Sequence, residues 1–324
     1  MMAKSNSIKH ALTCAAVPSC RPSWVRLALR LLVCAVLLPV LIGCQKTTAE
    51  SPTGLRVLAV ETFLADIAQN VAGDRVSVSA ILPIGLDPHG FEPTPQDAVR
   101  IAACDILIEN GAGMEEWLPN LLTTVGGDRR VIEAASGLPG RHASSSESPI
   151  DPHFWLDPIQ VIGYVANIRD GFIAADPDGK DIYTANASAY TDKLRTLDGW
   201  IRTQVDTLPI EQRVLVTNHD SLGYFADRYG FRIIGTLLPG TTSEAEPSAQ
   251  QLARLVDEMR LSGVKAIFVD VGSNQQLADQ IARETGARVV ASLYIHSISL
   301  PDGDAPSYLA MMRRNVEQIV AALR

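Results

Sequence analysis

The chain has 324 residues, 47% hydrophobic and 20% charged, which is long enough for two packed cores and ordinary for a globular protein. It carries 28 Lys and Arg against 36 Asp and Glu, a net charge of −8. That acidity argues against nucleic acid as a partner, because phosphate backbones demand a basic patch.

The first 43 residues hold Lys4, Lys9, Arg21, Arg26 and Arg30 and no acid, followed by a short apolar run from Leu27 to Ile42. A basic start and a short apolar stretch predict a secretory signal, not a membrane span. The run ends in Leu41-Ile42-Gly43-Cys44, the pattern of a bacterial lipobox, which predicts a mature chain beginning at a lipidated Cys44. An uncleaved N-terminal anchor is the alternative. Both place the body outside the cytoplasm and at a membrane. Of five cysteines, at 14, 20, 34, 44 and 104, only Cys104 lies beyond the lipobox, so no internal disulfide is expected and Cys104 reads as a buried thiol.

Residues 44–54 read as a flexible tether. Strand and helix patterns then alternate. Strands are expected at 55–60, 76–82, 105–111 and 130–134. Helices are expected at 62–73, 94–103 and 114–125, the last despite its internal Pro119. A Gly/Ser/Pro loop spans 137–152, and a helix follows to the Asp-Pro of 176–177. Residues 181–205 keep a helical period through Tyr183, Ala187, Tyr190, Leu194, Leu197, Ile201 and Val205. After Pro209 come strands at 213–218, 232–238, 266–271 and 288–294, interleaved with helices at 221–230, 248–263 and 274–286 and closed by a helix at 307–323. Such alternation implies parallel sheets with helices on their faces. The predicted fold is α/β: two lobes, each with an approximately four-stranded parallel sheet flanked by helices, joined by one long α-helix. The boundaries are 1–43 signal, 44–54 tether, 55–176 N-terminal lobe, 177–208 linking helix and 209–324 C-terminal lobe.

Six histidines occur, and His10 lies in the signal. His89, His219 and His296 each follow a predicted strand, and His153 sits in a turn-rich segment entering a helix. Ligands of parallel α/β sheets gather where loops leave the carboxyl ends of strands, so these four could converge between the lobes. Neutral imidazoles suit zinc, copper and iron, which take three or four such donors. The bland alternative for each is a surface or satisfied core histidine. His142, in the short loop "GRHASSSESPIDP", reads as a surface residue or a weak metal-gathering one.

Several segments, in order, resemble the TroA-like family, the zinc and manganese group of ABC-transporter solute-binding lipoproteins. They are "GLDPHGFEPTPQDAVRIAACDILIENGAGMEEWL", "DPHFWLDP", "NASAYTDKLRTLDGW", "VTNHDSLGYFADRYGF" and "SYLAMMRRNVEQI". The resemblance spans about residues 55–323. It implies that His89, His153 and His219 are metal ligands. The family's fourth ligand is usually an Asp in the loop after the last strand; here "SLYIHSISLPDGD" puts His296 there. His296 is the choice, with Asp302, Asp304 or a water as alternatives.

The resemblance further implies a non-enzymatic carrier, expected as a monomer, that hands a divalent ion to an ABC permease with small lobe motion. Histidine at the third position and an all-nitrogen set favour zinc; the absence of a long His-rich loop leaves manganese as the alternative metal. The competing function is a metal-dependent hydrolase with an open three-His site, for which no HExxH motif is present. A binder of larger metal chelates and a surface adhesin are the other rivals. Glu92, Asp157 and Asp220 stand close to three of the histidines and could orient them, although loop-capping or solvated roles are the ordinary reading. Trp117 and Trp155 read as core residues or as lobe-interface packing.

Overall fold

The computed structural model describes residues 53–142, 150–243 and 245–324. The signal, Cys44 and nearly all of the tether lie outside the described residues. No helix among the described residues is long and apolar enough to cross a membrane.

Two four-stranded parallel sheets form the frame. The first contains β1 (Val57–Ala59), β2 (Val78–Ala80), β3 (Ile106–Glu109) and β4 (Arg130–Glu133) in the order β2-β1-β3-β4. The second contains β5 (Val214–Thr217), β6 (Arg232–Thr236), β7 (Ala266–Asp270) and β8 (Arg288–Leu293) in the order β6-β5-β7-β8. In both sheets the chain starts inside, crosses to one edge and returns to build the other. That reversal opens a crevice at the carboxyl ends of the strands.

Local chemistry sets the helix limits. Helix α1 (Thr62–Ala72) buries Phe63, Leu64, Ile67, Ala68 and Val71 on one face and stops at Gly73, whose φ of 58° suits glycine. Helix α2 (Pro95–Ala103) begins with a capping box in which Thr94 and Asp97 satisfy each other's backbone N–H. Helix α3 (Leu118–Val125) starts four residues later than the expected 114. The reason is Glu115, whose oxygens accept the N–H groups of Asn110 at 2.6 Å and Gly111 at 3.1 Å and so fold 110–117 as a turn. Pro119 then falls in the first helical turn, where its missing N–H costs nothing.

Helix α4 (Gln160–Ala175) leads through a tight turn at Pro177–Gly179 into α5 (Lys180–Val205), 26 residues long and about 39 Å at 1.5 Å per residue. The second sheet carries α6 (Gly223–Tyr229), α7 (Ala249–Ser262), α8 (Gln276–Thr285) and α9 (Tyr308–Leu323).

Three apolar clusters hold these layers together. One lies outside the first sheet and includes Leu58, Ile101, Leu107 and Leu118, with Cys104 among them as a buried thiol. One lies outside the second sheet and includes Val216, Leu255, Ile267 and Ile281. The largest is shared: Phe63, Ile108 and Ile168 of the first lobe, the Tyr183-to-Val205 stripe of α5, and Leu215, Phe268 and Ile319 of the second form a single core. The inner faces of both sheets therefore rest on one continuous apolar body.

Candidate metal centre

The four histidines singled out in the sequence meet at the crevice between the sheets. His89 comes from the loop after β2, His153 from the turn before Phe154–Leu156, His219 from the loop after β5 and His296 from the loop after β8. Every pair of rings has its centroids 5.1–5.7 Å apart. The Nε2 atom of His153 stands 3.4 Å from that of His89, 3.3 Å from that of His219 and 3.4 Å from that of His296. Two nitrogens bound tetrahedrally to one zinc at about 2.0–2.1 Å stand about 3.4 Å apart, which these three separations match, and the donor atoms of all four rings lie within 4.8 Å of one another.

Two rings are aimed by buried carboxylates. His153 Nδ1 donates to Asp151 Oδ1 at 2.8 Å, and the same oxygen takes the His153 backbone N–H at 3.0 Å. His296 Nδ1 donates to Asp270 Oδ2 at 2.7 Å, while Asp270 Oδ1 takes the Ile295 N–H at 2.8 Å. Each bond fixes the proton on Nδ1 and turns the Nε2 lone pair toward the shared centre. His219 Nδ1 has no hydrogen-bond partner among the described residues; its loop is held through the backbone, with Thr217 Oγ1 donating to the His219 carbonyl at 2.6 Å.

These carboxylates are not the ones the sequence suggested. Asp157 caps the following turn and pairs with Arg228 instead. Glu92 lines the open cleft. Asp220 contacts Arg141. Asp151 carried a readable signal, two residues before a histidine in Asp-Pro-His. Asp270 carried none, being 26 residues from its ring.

Burial also favours the neutral form of three of the imidazoles. Desolvation, then the charge of neighbouring rings, drops His89 to about 3 and holds His153 and His219 well below the ordinary histidine range. His296 runs the other way: burial pulls it down, but the Asp87 charge and the Asp270 hydrogen bond outweigh that and raise it.

A cleft of about 870 Å³ lined by Leu86, Asp87, Phe91, Glu92, Asn218 and Asp270 runs along the loop that carries His89, the least buried of the four. Trp155 lies against the His153 and His296 rings; it is fully buried, stacks on Phe63 at 4.5 Å and donates Nε1–H to the Ile295 carbonyl at 2.8 Å across the lobes. Trp117 instead anchors the His89 loop, donating to the Pro88 carbonyl at 3.2 Å. Asp304 is turned toward Tyr294 and Arg314, Asp302 is exposed, and the exposed His142 stands outside the cluster.

A family model described as "Zinc-uptake complex component A periplasmic" matches residues 57–322. The chain belongs to this family. Its members are substrate-binding components of ABC transporters, not enzymes. The chain is 35% identical over 282 residues to the manganese-binding lipoprotein MntA of Halalkalibacterium halodurans, covering 87% of this chain and 93% of that one. Among solved structures, a Mn-bound periplasmic metal-binding protein from Candidatus Liberibacter asiaticus superposes with TM-score 0.75 at 30% identity, covering 83% of this chain and 99% of that one. The periplasmic zinc-binding protein TroA from Treponema pallidum superposes with TM-score 0.77 at 26% identity, with the same coverage. The family assignment thus carries metal binding and ABC-dependent uptake, while the named metals of these relatives differ.

Proposed function

We propose that the chain is an extracytoplasmic carrier, anchored through Cys44, that binds one zinc ion through His89, His153, His219 and His296 and delivers it to an ABC permease. The observation that carries this reading is the convergence of one donor atom from each of four histidines, drawn from both lobes, within 4.8 Å of one another, with His153 Nε2 at 3.3–3.4 Å from the other three. An all-nitrogen set favours zinc over manganese, which prefers oxygen donors. The ligands arise from four distant points of the chain, so the fold assembles the site and metal binding stabilises the closed pairing of the lobes. The second reading, a manganese carrier, draws on the manganese-binding relatives.

Metal analysis and competitive titration of the mature protein test both. The expected result is one zinc per chain, held more tightly than manganese. His89→Ala and His219→Ala should each weaken zinc by more than the 10–100-fold cost of losing a supporting residue behind a ligand. A double variant that holds zinc as well as the parent would refute the site, and manganese displacing zinc at equal concentration would establish the second reading.

A further inference from the structure

Behind the histidines, one guanidinium joins the two lobes. Arg141 lies at the end of the segment following β4, in the first lobe. Its backbone is fixed by a closed set of bonds: the Asp151 N–H donates to the Arg141 carbonyl at 3.0 Å, the Arg141 N–H to Tyr224 Oη at 3.0 Å, and Tyr224 O–H to the Asp151 carbonyl at 2.8 Å. Its side chain reaches three carboxylates. Nη1 is 3.0 Å from Asp151 Oδ2 and 3.7 Å from Asp220 Oδ1, and Nε is 3.1 Å from Asp227 Oδ2. Asp151 belongs to the first lobe and orients His153; Asp220 directly follows His219 in the second lobe, and Asp227 lies on α6. Gly223, at the start of α6, makes room for this arm, since a Cβ there would collide with the guanidinium.

We propose that Arg141 is a positioning residue, a latch that holds the His153 and His219 segments together across the lobe boundary and so slows metal release. The inference rests on the metal-carrier reading above. Two features carry it. Asp151 is fully buried and uses one oxygen for the His153 ring and the other for Arg141, so the guanidinium acts on the ligand through a single rigid carboxylate. The same guanidinium faces Asp220 and Asp227, so separating the lobes on this side pulls a charge away from two acids. A planar fork with several donors can serve carboxylates in different directions; a lysine ammonium replaces its charge but not its geometry.

The test is the rate at which zinc-loaded protein yields its metal to an excess of chelator, beside the melting temperature of the metal-free protein. Arg141→Ala should release zinc about tenfold faster or more, the range for losing an outer partner of a ligating histidine. Arg141→Lys should fall between the parent and the alanine variant. Asp227→Asn removes only the exposed arm and should speed release about two- to fivefold. Added salt should speed release from the parent more than from Arg141→Ala, because screening weakens a charged latch. Any loss of metal-free stability in Arg141→Lys and Asp227→Asn should be smaller than the loss to which their faster release corresponds.

Parental release rates in Arg141→Lys and Asp227→Asn would overturn the latch, even if the alanine variant failed to fold. Faster release matched by an equal loss of metal-free stability in both would overturn it too, since that is scaffold support alone. A parent that binds no zinc would refute the carrier reading instead.

Discussion

At position 61 a carboxyl group lies fully buried, and its oxygens meet no donor among the described residues other than a second acid, Glu115. Burial first, and then the charge of Glu115, push Glu61 well above the carboxylate range. Glu115 is raised by burial as well, but the Asn110 and Gly111 N–H groups favour its charged form. The consistent arrangement is a neutral Glu61 sharing its proton with a charged Glu115. This pair supports the site indirectly, because the Asn110 side chain donates to the carbonyl of Pro152, next to His153. An acid that stays protonated in the fold but ionises when unfolded contributes stability below its ordinary range and loses it as pH rises. Glu61→Gln keeps a donor toward Glu115 and removes that loss. Its unfolding free energy relative to the parent should therefore improve between pH 5 and pH 8, by at most about 1.4 kcal/mol per pH unit for one proton, as followed by denaturation at each pH. A relative stability that is flat or falls over that range would mean that Glu61 is not the proton holder. Nothing in the sequence marked this pair: an acid between a strand and a helix reads as a surface helix-start residue, and its burial follows from packing alone.

Among the elements, the strands and helices of both sheets were legible because their apolar spacing answers directly to how each segment is buried. The linking helix is the clearest case: its seven spaced apolar residues are those buried in the shared core. Helix α3 shows where spacing falls short. Residues 114–117 continue the helical pattern, yet Glu115 satisfies the backbone of a neighbouring loop instead of a helix, a long-range demand that periodicity does not encode. Likewise the four histidines could be placed at strand ends, but Asp270 and Arg141 could not be tied to them without the sheet order. The linking helix also keeps one weak residue. Gly199 is exposed in its interior, with nothing near the position a Cβ would take. Gly199→Ala should stabilise the protein by about 0.5–1 kcal/mol by reducing the freedom of the unfolded chain. For a protein of this size that raises the melting temperature by about 1–3 °C. An unchanged or lower midpoint would indicate that the helix needs flexibility there.

For the molecule as a whole, the question is how far the lobes move when a metal is bound. The sequence resemblance predicts a small movement, and the packing gives a physical reason for it. One apolar core runs from α1 through α5 to α9, so opening the crevice by a hinge would expose side chains of both lobes to water. Directional bonds cross the same boundary. The Ile298 N–H donates to Thr62 Oγ1 at 3.0 Å, the Tyr308 N–H to Asp66 Oδ2 at 2.9 Å and the Gly85 N–H to Ser297 Oγ at 3.1 Å. The Trp155 indole is tied to Ile295 directly behind the histidines. Each of these bonds would be lost in a wide clamshell opening. Local movement costs less at His89, which projects from a loop at the cleft and is the least buried of the four rings. Loading and release should therefore proceed through loop displacement of about 1–2 Å, the scale of small packed shifts, with the lobes nearly fixed. Small-angle scattering of metal-free and zinc-loaded protein should give radii of gyration within about 1 Å of each other. Hydrogen exchange should change most in the His89 loop, whose ring is the least buried of the four, and least along α5. A larger contraction, with exchange altered along α5 itself, would show that the shared core yields and that the lobes close as separate bodies.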